Sequence, residues 1–342
     1  MIALSRYGQG VPHYRLDKWQ KYSGVPLPAG THWGGVEYLA SSLRPVYHYL
    51  IKLAASGQVM FMDDTHNLIL DLKNKLNEEK SKRTGIYTTG IISKLRDKTI
   101  NLFFTGNHHA GENLESILEH RPDGLPSIIK MSDAHACNNV KKASTTDCLC
   151  ITHGRRNFKD AESDHKHITE ECNYAIYLLG KIYHYENIAV SRKLTDEERL
   201  CFHQKKSGPV VKKLRRWMLR MFYLRKVEPN DPNGLAIQYM LNHWEGLTQF
   251  LRIPGAPIDN TECERLIKRA ILHRKNSLFF KTALGAYVAD ITMSLIQTCL
   301  GANKNPFEYL VALHRNKKDV FKNPENFLPW NYEANLAGYH SA

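Results

Sequence analysis

The sequence predicts an α/β fold, in which a mixed sheet is interrupted by a large helical insertion and flanked by N- and C-terminal helices. Runs rich in β-branched and aromatic residues lie between residues 58 and 131, which is typical of strands. Apolar residues recur every three or four positions near both ends of the chain and from about 141 to 256, which is typical of helices. The element order in the strand-rich part is β-β-β-α-β.

The composition favours a folded protein that binds a polyanion. The chain has 342 residues, enough for two domains or for one domain with an insertion. Its formal charge of +13 favours nucleic acid first and an anionic membrane surface second. No apolar run approaches the roughly 20 residues of a membrane span, and the N-terminus is too polar for a secretory signal. We therefore expect a cytoplasmic location with reduced cysteines.

The N-terminal part, 1–56, is predicted to be helical. Helix-period residues over 12–22 and 32–55 are joined by the breaker-rich segment 24–30. Two short helices around a tight turn form either a plain helix pair or a helix-turn-helix that reads DNA. The sequence leaves both interpretations open.

The first part of the predicted core, 57–140, contains the strand-rich elements. Arg96-Asp97-Lys98 suits a hairpin turn between two of the strands. Pro122 and Gly124 break the chain before the last strand. The predicted strands are 58–63, 85–92, 99–104 and 127–131, with a helix over 110–120.

Two adjacent carboxylates, Asp63 and Asp64, follow the first of these strands. The preceding apolar run, 59–62, is typical of a buried central strand. An unpaired charge at the end of a buried strand is costly, and a divalent cation held by oxygen ligands removes that cost. The alternative is a strand that exits into solvent at a polar turn. Another strand runs into an acid at Asp133, which favours the metal hypothesis.

The insertion, 141–256, is predicted to be mostly helical. Helical patterns cover 155–187 and 234–251. Thr195 and Glu198 have the spacing of a capping box at the start of another helix.

Within the insertion, the segment 205–226 holds nine Lys or Arg and no acid. Its apolar residues recur every three or four positions, which predicts one helix with a buried face and a cationic face. The cationic face is either simply solvated or in contact with DNA phosphates. Its central cations are Lys212, Lys213, Arg215 and Arg216.

The core is predicted to be completed over 257–315. Asp259 or Asn260 is a good N-cap for a helix that carries Glu262 and Glu264 in its first turn and a half. Two further helices, 286–300 and 306–315, are followed by a tail, 316–342, that has little periodicity and is predicted to be irregular.

Three acidic positions now form one hypothesis: Asp63 or Asp64, Asp133, and Glu264. Carboxylates on a central strand, a neighbouring strand and a late helix can converge on two divalent ions. Two Mg²⁺ or Mn²⁺ about 4 Å apart support phosphoryl transfer by activating a water or a 3′-hydroxyl. With the β-β-β-α-β order, this set predicts a ribonuclease-H-like core.

Two other groups of potential ligands are weaker candidates. Cys148, Cys150 and His153 have metal-like spacing, but no fourth ligand is evident, so a structural strand and turn is favoured over zinc. His108 and His109 are predicted to lie in a solvated loop beside Gly111.

Seven blocks of the sequence resemble the DDE transposases of the insertion-sequence family numbered sixty-six. They extend from about residue 6 to about residue 315, and the blocks with Asp-Asn…Glu-Arg and Cys…His…Arg-Arg are the most specific. The blocks are RYGQGVPHYR at the start, MDDT at 62–65, HHAGENL at 108–114, MSDA at 131–134, CITHGRRNF at 150–158, APIDNTECERLIKRAILHRKNSLFF at 256–280 and MSLIQTCLGANKNPFEYL at 293–310.

The resemblance implies a ribonuclease-H-like core interrupted between its second Asp and its Glu. The catalytic, metal-binding acids then fall on Asp63, Asp133 and Glu264, with Asp64 as a variable acid whose role stays open. The resemblance also implies supporting or DNA-binding roles for residues of two blocks. These are Cys150, His153, Arg155 and Arg156 in the first, and Asn260, Arg265, Arg274, Lys275 and Asn276 in the second.

The activity implied by the resemblance is metal-dependent cleavage at element ends, followed by strand transfer into target DNA. The expected cofactors are two Mg²⁺ or Mn²⁺ ions. The expected partners are double-stranded DNA, further copies of the chain assembled on DNA, and accessory proteins encoded by the same element. The expected place is the nucleoid.

The sequence also departs from the family pattern. Members usually have a longer N-terminal region with a coiled segment and a zinc-binding DNA-recognition module, and this chain begins inside the block that follows them. His66 stands where Pro often follows the acidic pair, and Ser132 where Cys is frequent. The expectation is therefore a shortened transposase, and the alternative is a nuclease-only or catalytically silent DNA-binding remnant.

Overall fold

The computed structural model describes residues 1–141, 143–164 and 169–340. The chain forms two compact units. The first combines Met1–Ile128, Cys137–Ser144 and Thr261–Ala342, and the second combines Ile129–Ala136 and Thr145–Asn260. The chain thus leaves the first unit, re-enters it briefly at Cys137–Ser144 and returns to it for its C-terminal quarter.

The fold is α/β, with a five-stranded mixed sheet in the order β3-β2-β1-β4-β5. Strand β2 pairs antiparallel with β1 on one side and with β3 on the other. The hairpin between β2 and β3 turns at Arg96, whose φ of 53° lies in the left-handed region. The turn predicted at this place is therefore confirmed. The strands are β1 Val59–His66, β2 Tyr87–Leu95, β3 Lys98–Gly106, β4 Ile128–Ser132 and β5 Thr145–Leu149.

The predicted β-β-β-α-β order omitted two elements. Helix α3, Leu70–Glu78, lies between β1 and β2, and β5 follows β4 in a region that was predicted to be mostly helical. The start of α3 is held by a tertiary contact, because Leu70 N donates to Phe280 O at 3.0 Å. Such long-range pairing has no local signature, so sequence periodicity misses it.

Helices of the first unit cover both chain ends. The predicted pair is confirmed as α1 and α2, and α2 runs through Pro45. The tail, predicted to be irregular, is instead largely helical, since burial of Val320, Phe327 and Tyr332 supplies order that the sequence pattern does not signal. The helices are α1 His13–Tyr22, α2 Ala29–Ala54, α4 Ala110–Leu118, α10 Thr261–Ser277, α11 Ala283–Gly301, α12 Pro306–Arg315, α13 Lys317–Lys322 and α14 Tyr332–His340.

Helix α11 covers the free edge of the sheet at β3. Main-chain N–H groups of alternate β3 residues donate to side chains spaced four apart on α11. The pairs are Asn101 N to Thr298 Oγ1 at 3.0 Å, Phe103 N to Ser294 Oγ at 2.9 Å, and Thr105 N to Asp290 Oδ2 at 2.7 Å. An exposed edge strand invites pairing with other chains, and these bonds remove that opportunity.

The same helix corrects the expectation about apolar runs. Helix α11 is long and apolar enough to cross a membrane, but 67% of its apolar stretch is buried inside the protein. Because α11 packs against β3, its apolar composition is that of a core helix.

The second unit is mainly helical. Its helices are α5 Ile151–Asp164, α6 Thr169–Ser191, α7 Asp196–Tyr223, α8 Pro232–Asn242 and α9 Trp244–Leu247. The Thr195 capping box is confirmed, with Thr195 N donating to Glu198 Oε2 at 2.9 Å. The predicted helix over 155–187 crosses residues 165–168, which lie outside the described part of the chain.

Two helix boundaries in this unit differ from prediction. The stretches around 194–206 and 205–226 form the single helix α7, which continues through Pro209. The apolar helix predicted over 234–251 ends at Asn242, and two short turns follow. Apolar composition continues across this break because the short turns also bury residues such as Leu247 and Phe250.

Candidate active site

Asp63 and Asp64 lie within β1, which extends to His66 and so beyond the end predicted for this strand. In the antiparallel register, Asp63 is opposite Gly90 and Asp64 is opposite Thr89 on β2. Successive side chains of a strand leave opposite faces of the sheet. The two carboxylates therefore lie on opposite faces of the sheet.

The Asp64 carboxylate is engaged by donors from β2 and the start of α4. Thr89 donates to Asp64 Oδ1 at 2.5 Å, and the backbone N–H of Ala110 donates to Oδ2 at 2.9 Å. The His109 ring nitrogen Nδ1 is 3.2 Å from the same Oδ2. An acid that accepts from the first N–H groups of a helix stabilises that terminus. Asp64 thus anchors α4 to the sheet.

The opposite face of β1 and β2, on which Asp63 lies, is covered by α10. A Cβ added to Gly90 would lie 3.2 Å from Ile267 Cδ1, so the helix approaches the strand closely at the residue opposite Asp63. Cys263 Sγ donates to Gly90 O at 3.3 Å. Burial raises the pKa of the Cys263 thiol well above its usual value, and the charges of Asp63, Glu262, Asp64 and Glu264 raise it further. The thiol of Cys263 therefore stays protonated among the acids of β1 and α10.

Glu262 and Glu264 are distinguished by their partners. Lys94 Nζ forms an ion pair with Glu262 Oε1. Glu264 Oε1 is buried and meets no hydrogen-bond partner among the described residues. Burying a carboxylate oxygen without a partner is unfavourable, and a cation removes the penalty. Of the two acids, Glu264 is the one that fits a metal ligand.

Arg274 fixes the far end of β1 to the same helix. Its guanidinium donates to Thr65 Oγ1 at 3.1 Å and also to His66 O. Other predicted supporting residues of α10 differ in setting: Arg265 and Lys275 are exposed, and Asn276 Oδ1 accepts from Arg15 at 3.5 Å. Arg274 therefore has a structural role that the sequence did not indicate.

Asp133 belongs to the second unit and directly follows β4. Its Oδ1 accepts from the backbone N–H of His135 at 3.1 Å. It is half-buried, and its charge adds to the effect of burial in raising the pKa of Tyr239 to about 12. The meeting of Asp133 with Asp63 and Glu264 remains a prediction.

The Cys-His-Arg-Arg block opens α5 in the second unit. Cys150 Sγ accepts from Asn260 N at 3.2 Å, and Ile151 N donates to Ile258 O at 3.1 Å. These bonds join the start of α5 to the segment that precedes α10. The predicted turn is thus a helix start, on which His153 and Arg155 are half-buried and Arg156 is exposed.

The two cysteines of this block are core residues. Cys148 and Cys150 are fully buried, and burial raises the pKa of both thiols, that of Cys148 to about 12. Both cysteines therefore pack as core residues of the second unit.

The basic helix has the predicted two faces. Val211, Leu214 and Met218 are buried, whereas the four central cations are exposed. Within the described part of the chain these four cations form no ion pair with an acid. They are Lys212, Lys213, Arg215 and Arg216. Unpaired cations on one face suit contact with phosphates.

Sequence reasoning missed the residues that hold α4. His109, predicted to be in a solvated loop, is instead the N-cap residue of this helix. Its side chain is only 23% exposed. Its backbone N–H donates to Glu112 Oε2 at 3.0 Å. The spacing of His109 and Glu112 is that of a capping box, so a local signal was present. The contact between the rings of His109 and Tyr87, whose centroids are 4.1 Å apart, had no local signal in the sequence.

Comparison with known proteins identifies the family. A family model described as "Transposase IS66 family" matches residues 1–287, most of the chain. The chain therefore belongs to the IS66 transposase family.

Curated relatives cover nearly the whole chain at low identity. The uncharacterized proteins y4jD, y4qI and y4hP of Sinorhizobium fredii are 24%, 22% and 23% identical to it, over 98%, 98% and 97% of the chain. The alignments cover 66%, 62% and 61% of these relatives, so the chain spans less than two thirds of their length. No solved structure matches the chain.

Proposed function

We propose that this chain is the catalytic part of a DDE-type DNA transposase that cuts element ends and joins them to target DNA. The observation that carries the proposal is the buried, unpartnered Oε1 of Glu264 on the helix that covers the Asp63 face of the sheet. Membership of the transposase family supports the reaction class. Strand β2 pairs antiparallel with β1 and with β3, and Asp63 lies on β1. This arrangement supports a ribonuclease-H-like core.

Asp63, Asp133 and Glu264 would hold two Mg²⁺ or Mn²⁺ ions, since hard cations prefer carboxylate oxygens. When bound, such ions activate a water or a 3′-hydroxyl and stabilise the leaving oxygen. Asp64 is not included, because its carboxylate lies on the other face and holds α4.

The remaining side chains position the site and the DNA. Lys94 pairs with Glu262 and so leaves Glu264 as the acid available on α10. Arg274 holds the end of β1 against the same helix. The exposed face of α7 would contact phosphates of double-stranded DNA. Further copies of the chain and accessory proteins of the same element would complete the assembly on the nucleoid, in the cytoplasm.

The test is a joining assay with a pre-cut element end that bears a free 3′-hydroxyl, a target plasmid and Mg²⁺. Glu264→Gln is expected to lose joining by at least about 100-fold, because one metal ligand is removed. Glu262→Gln is the matched control, two residues away on the same helix and already paired with Lys94. Both variants should bind DNA as the unmodified chain does.

Three results separate the alternatives. Full joining by Glu264→Gln would overturn the site. Metal-dependent nicking without joining would indicate a nuclease. Salt-sensitive DNA binding with neither activity would indicate a silent remnant.

A further inference from the structure

We propose that Asp64, His109 and Cys137 form a binding site for one Zn²⁺ ion, distinct from the carboxylate site on the Asp63 face. A carboxylate oxygen, a ring nitrogen and the thiol sulfur of these residues all lie within 4.8 Å of one another. Ligands bound to a tetrahedral zinc at 2.0–2.3 Å are separated from each other by about 3.3 to 3.8 Å. The 3.2 Å between His109 Nδ1 and Asp64 Oδ2 is already close to that spacing.

Two of the three ligands are held in place by other groups. The Asp64 carboxylate accepts from Thr89 and from Ala110 N, contacts that can persist beside a metal. The His109 ring lies against Tyr87 at 4.1 Å. Metal-binding sites depend on such outer contacts to orient the ligands.

The start of α4 is itself pinned near the cluster. Glu112 accepts from His109 N, and Arg83 donates two bonds of 2.8 Å to the Glu112 carboxylate. Both ends of the Arg83 guanidinium thus engage the Glu112 carboxylate. The backbone that carries His109 is therefore fixed before any ion binds.

Cys137 is brought to this place by close backbone packing. A Cβ on Gly111 would lie 2.7 Å from Cys137 O and 2.6 Å from Asn139 O. Real Cβ contacts are not that short, so only glycine in the first turn of α4 lets the 137–139 segment approach. The thiol is thereby placed beside the helix start that bears His109.

The ligand types select the ion. Thiolate and imidazole suit zinc, whereas Mg²⁺ prefers oxygen ligands throughout. Three protein ligands leave a fourth position for water, the pattern of an open zinc site. Cys137 is half-buried, unlike the five fully buried cysteines. Binding would cross-link β1, α4 and the 137–139 segment, and so stabilise the first unit.

The experiment uses the full chain, stripped with a chelator and titrated with Co²⁺ as a spectroscopic probe, then with Zn²⁺. We expect a thiolate-to-cobalt charge-transfer band whose intensity corresponds to one thiolate-bound Co²⁺ per chain, and loss of that band when Zn²⁺ displaces Co²⁺. Cys137→Ser should abolish the band, and His109→Ala should weaken metal affinity by at least about 10-fold. Saturating Zn²⁺ should raise the Tm of the unmodified chain by several degrees and that of Cys137→Ser by none.

The matched controls are Cys201→Ser, at an exposed cysteine of the second unit, and His108→Ala, at the neighbouring histidine. Both should bind as the unmodified chain does. Circular dichroism of the metal-free variants checks folding, and His109→Ala provides a second route if Cys137→Ser is misfolded. The inference is overturned if the unmodified chain shows no stoichiometric band, if Cys137→Ser keeps it, or if Cys201→Ser removes it. No DNA is present, so the result does not depend on the proposed transposase activity.

Discussion

Asp63 and Asp64 are neighbours on β1, yet their carboxylates belong to opposite faces of the sheet. Asp63 is opposite Gly90, which α10 covers, and Asp64 is opposite Thr89, which donates to it. One face therefore holds an acid on the side that α10 covers, and the other holds an acid that anchors α4. The pair, which looks like one feature in the sequence, has two separate roles in the structure.

Stability should respond differently to the two acids. In metal-free protein, Asp64→Asn is expected to lower the free energy of unfolding by about 1–3 kcal/mol, since charge-assisted bonds from Thr89 and Ala110 N are weakened. Asp63→Asn should lower it less, because an amide oxygen can still accept from Asp64 N. Urea denaturation measures both. Equal losses would contradict the division of roles.

The covered edge of β3 provides another stability prediction. Ser294→Ala removes the acceptor of the buried Phe103 N–H and is expected to cost about 1–3 kcal/mol. The control is Ser191→Ala, at an exposed serine whose hydroxyl bonds within its own helix, with an expected change below about 0.5 kcal/mol. If the two variants unfold at the same denaturant concentration, α11 does not stabilise the edge through these bonds.

Asp290 should make stability depend on pH. Burial raises its pKa from 3.8 to about 7, although bonds from Thr105 lower it in part. Between about pH 4 and pH 7 the folded protein then binds more protons at this site than the unfolded chain. The free energy of unfolding contributed by this residue therefore falls as pH rises through that window.

The variant Asp290→Asn isolates this effect, because the asparagine side chain does not titrate. The stability of the unmodified chain relative to the variant is expected to decline from pH 4 to pH 7, measured by urea denaturation at each pH. A difference that stays flat, or grows with pH, would show that Asp290 is already ionised in the folded protein at pH 4.

The cationic face of α7 should contribute to DNA affinity in a salt-dependent way. The double change Lys212→Gln with Lys213→Gln is expected to weaken binding to all duplexes alike. It should also reduce the slope of log affinity against log salt by about 1 for each phosphate that the variant no longer neutralises. Lys318→Gln with Lys322→Gln, at two exposed lysines of α13, removes the same charge elsewhere. An equal loss in this control would indicate a general charge effect.

Local patterns predicted much of the secondary structure. The Thr195 capping box depends on contacts within three residues, and it is present. The alternation of buried and exposed residues on α7 follows from helical period alone. Elements whose order depends on distant partners, such as α3 beside Phe280 and the helical tail, were not predicted.

The candidate site divides in the same way. Its acids were identified from the sequence, because two adjacent carboxylates in an apolar strand and a glutamate at the start of a helix are visible without a fold. The sequence had already assigned Glu264 to the site, but the partner that distinguishes Glu262 from it, Lys94, lies 168 residues away from Glu262. The role of Asp64 depends on Ala110, 46 residues away.

The sequence by itself therefore determined the fold class, the family resemblance, the basic helix and the set of candidate acids. These follow from residue types and short spacings, which persist whether or not the chain is folded. Only the tertiary structure decided which face of the sheet each acid of the Asp63–Asp64 pair lies on, that Glu262 is the glutamate paired with Lys94, and that the Cys137 sulfur lies within 4.8 Å of a His109 ring nitrogen. Those relationships arise where strands and helices pack, and the separation of such partners along the chain carries no local signal.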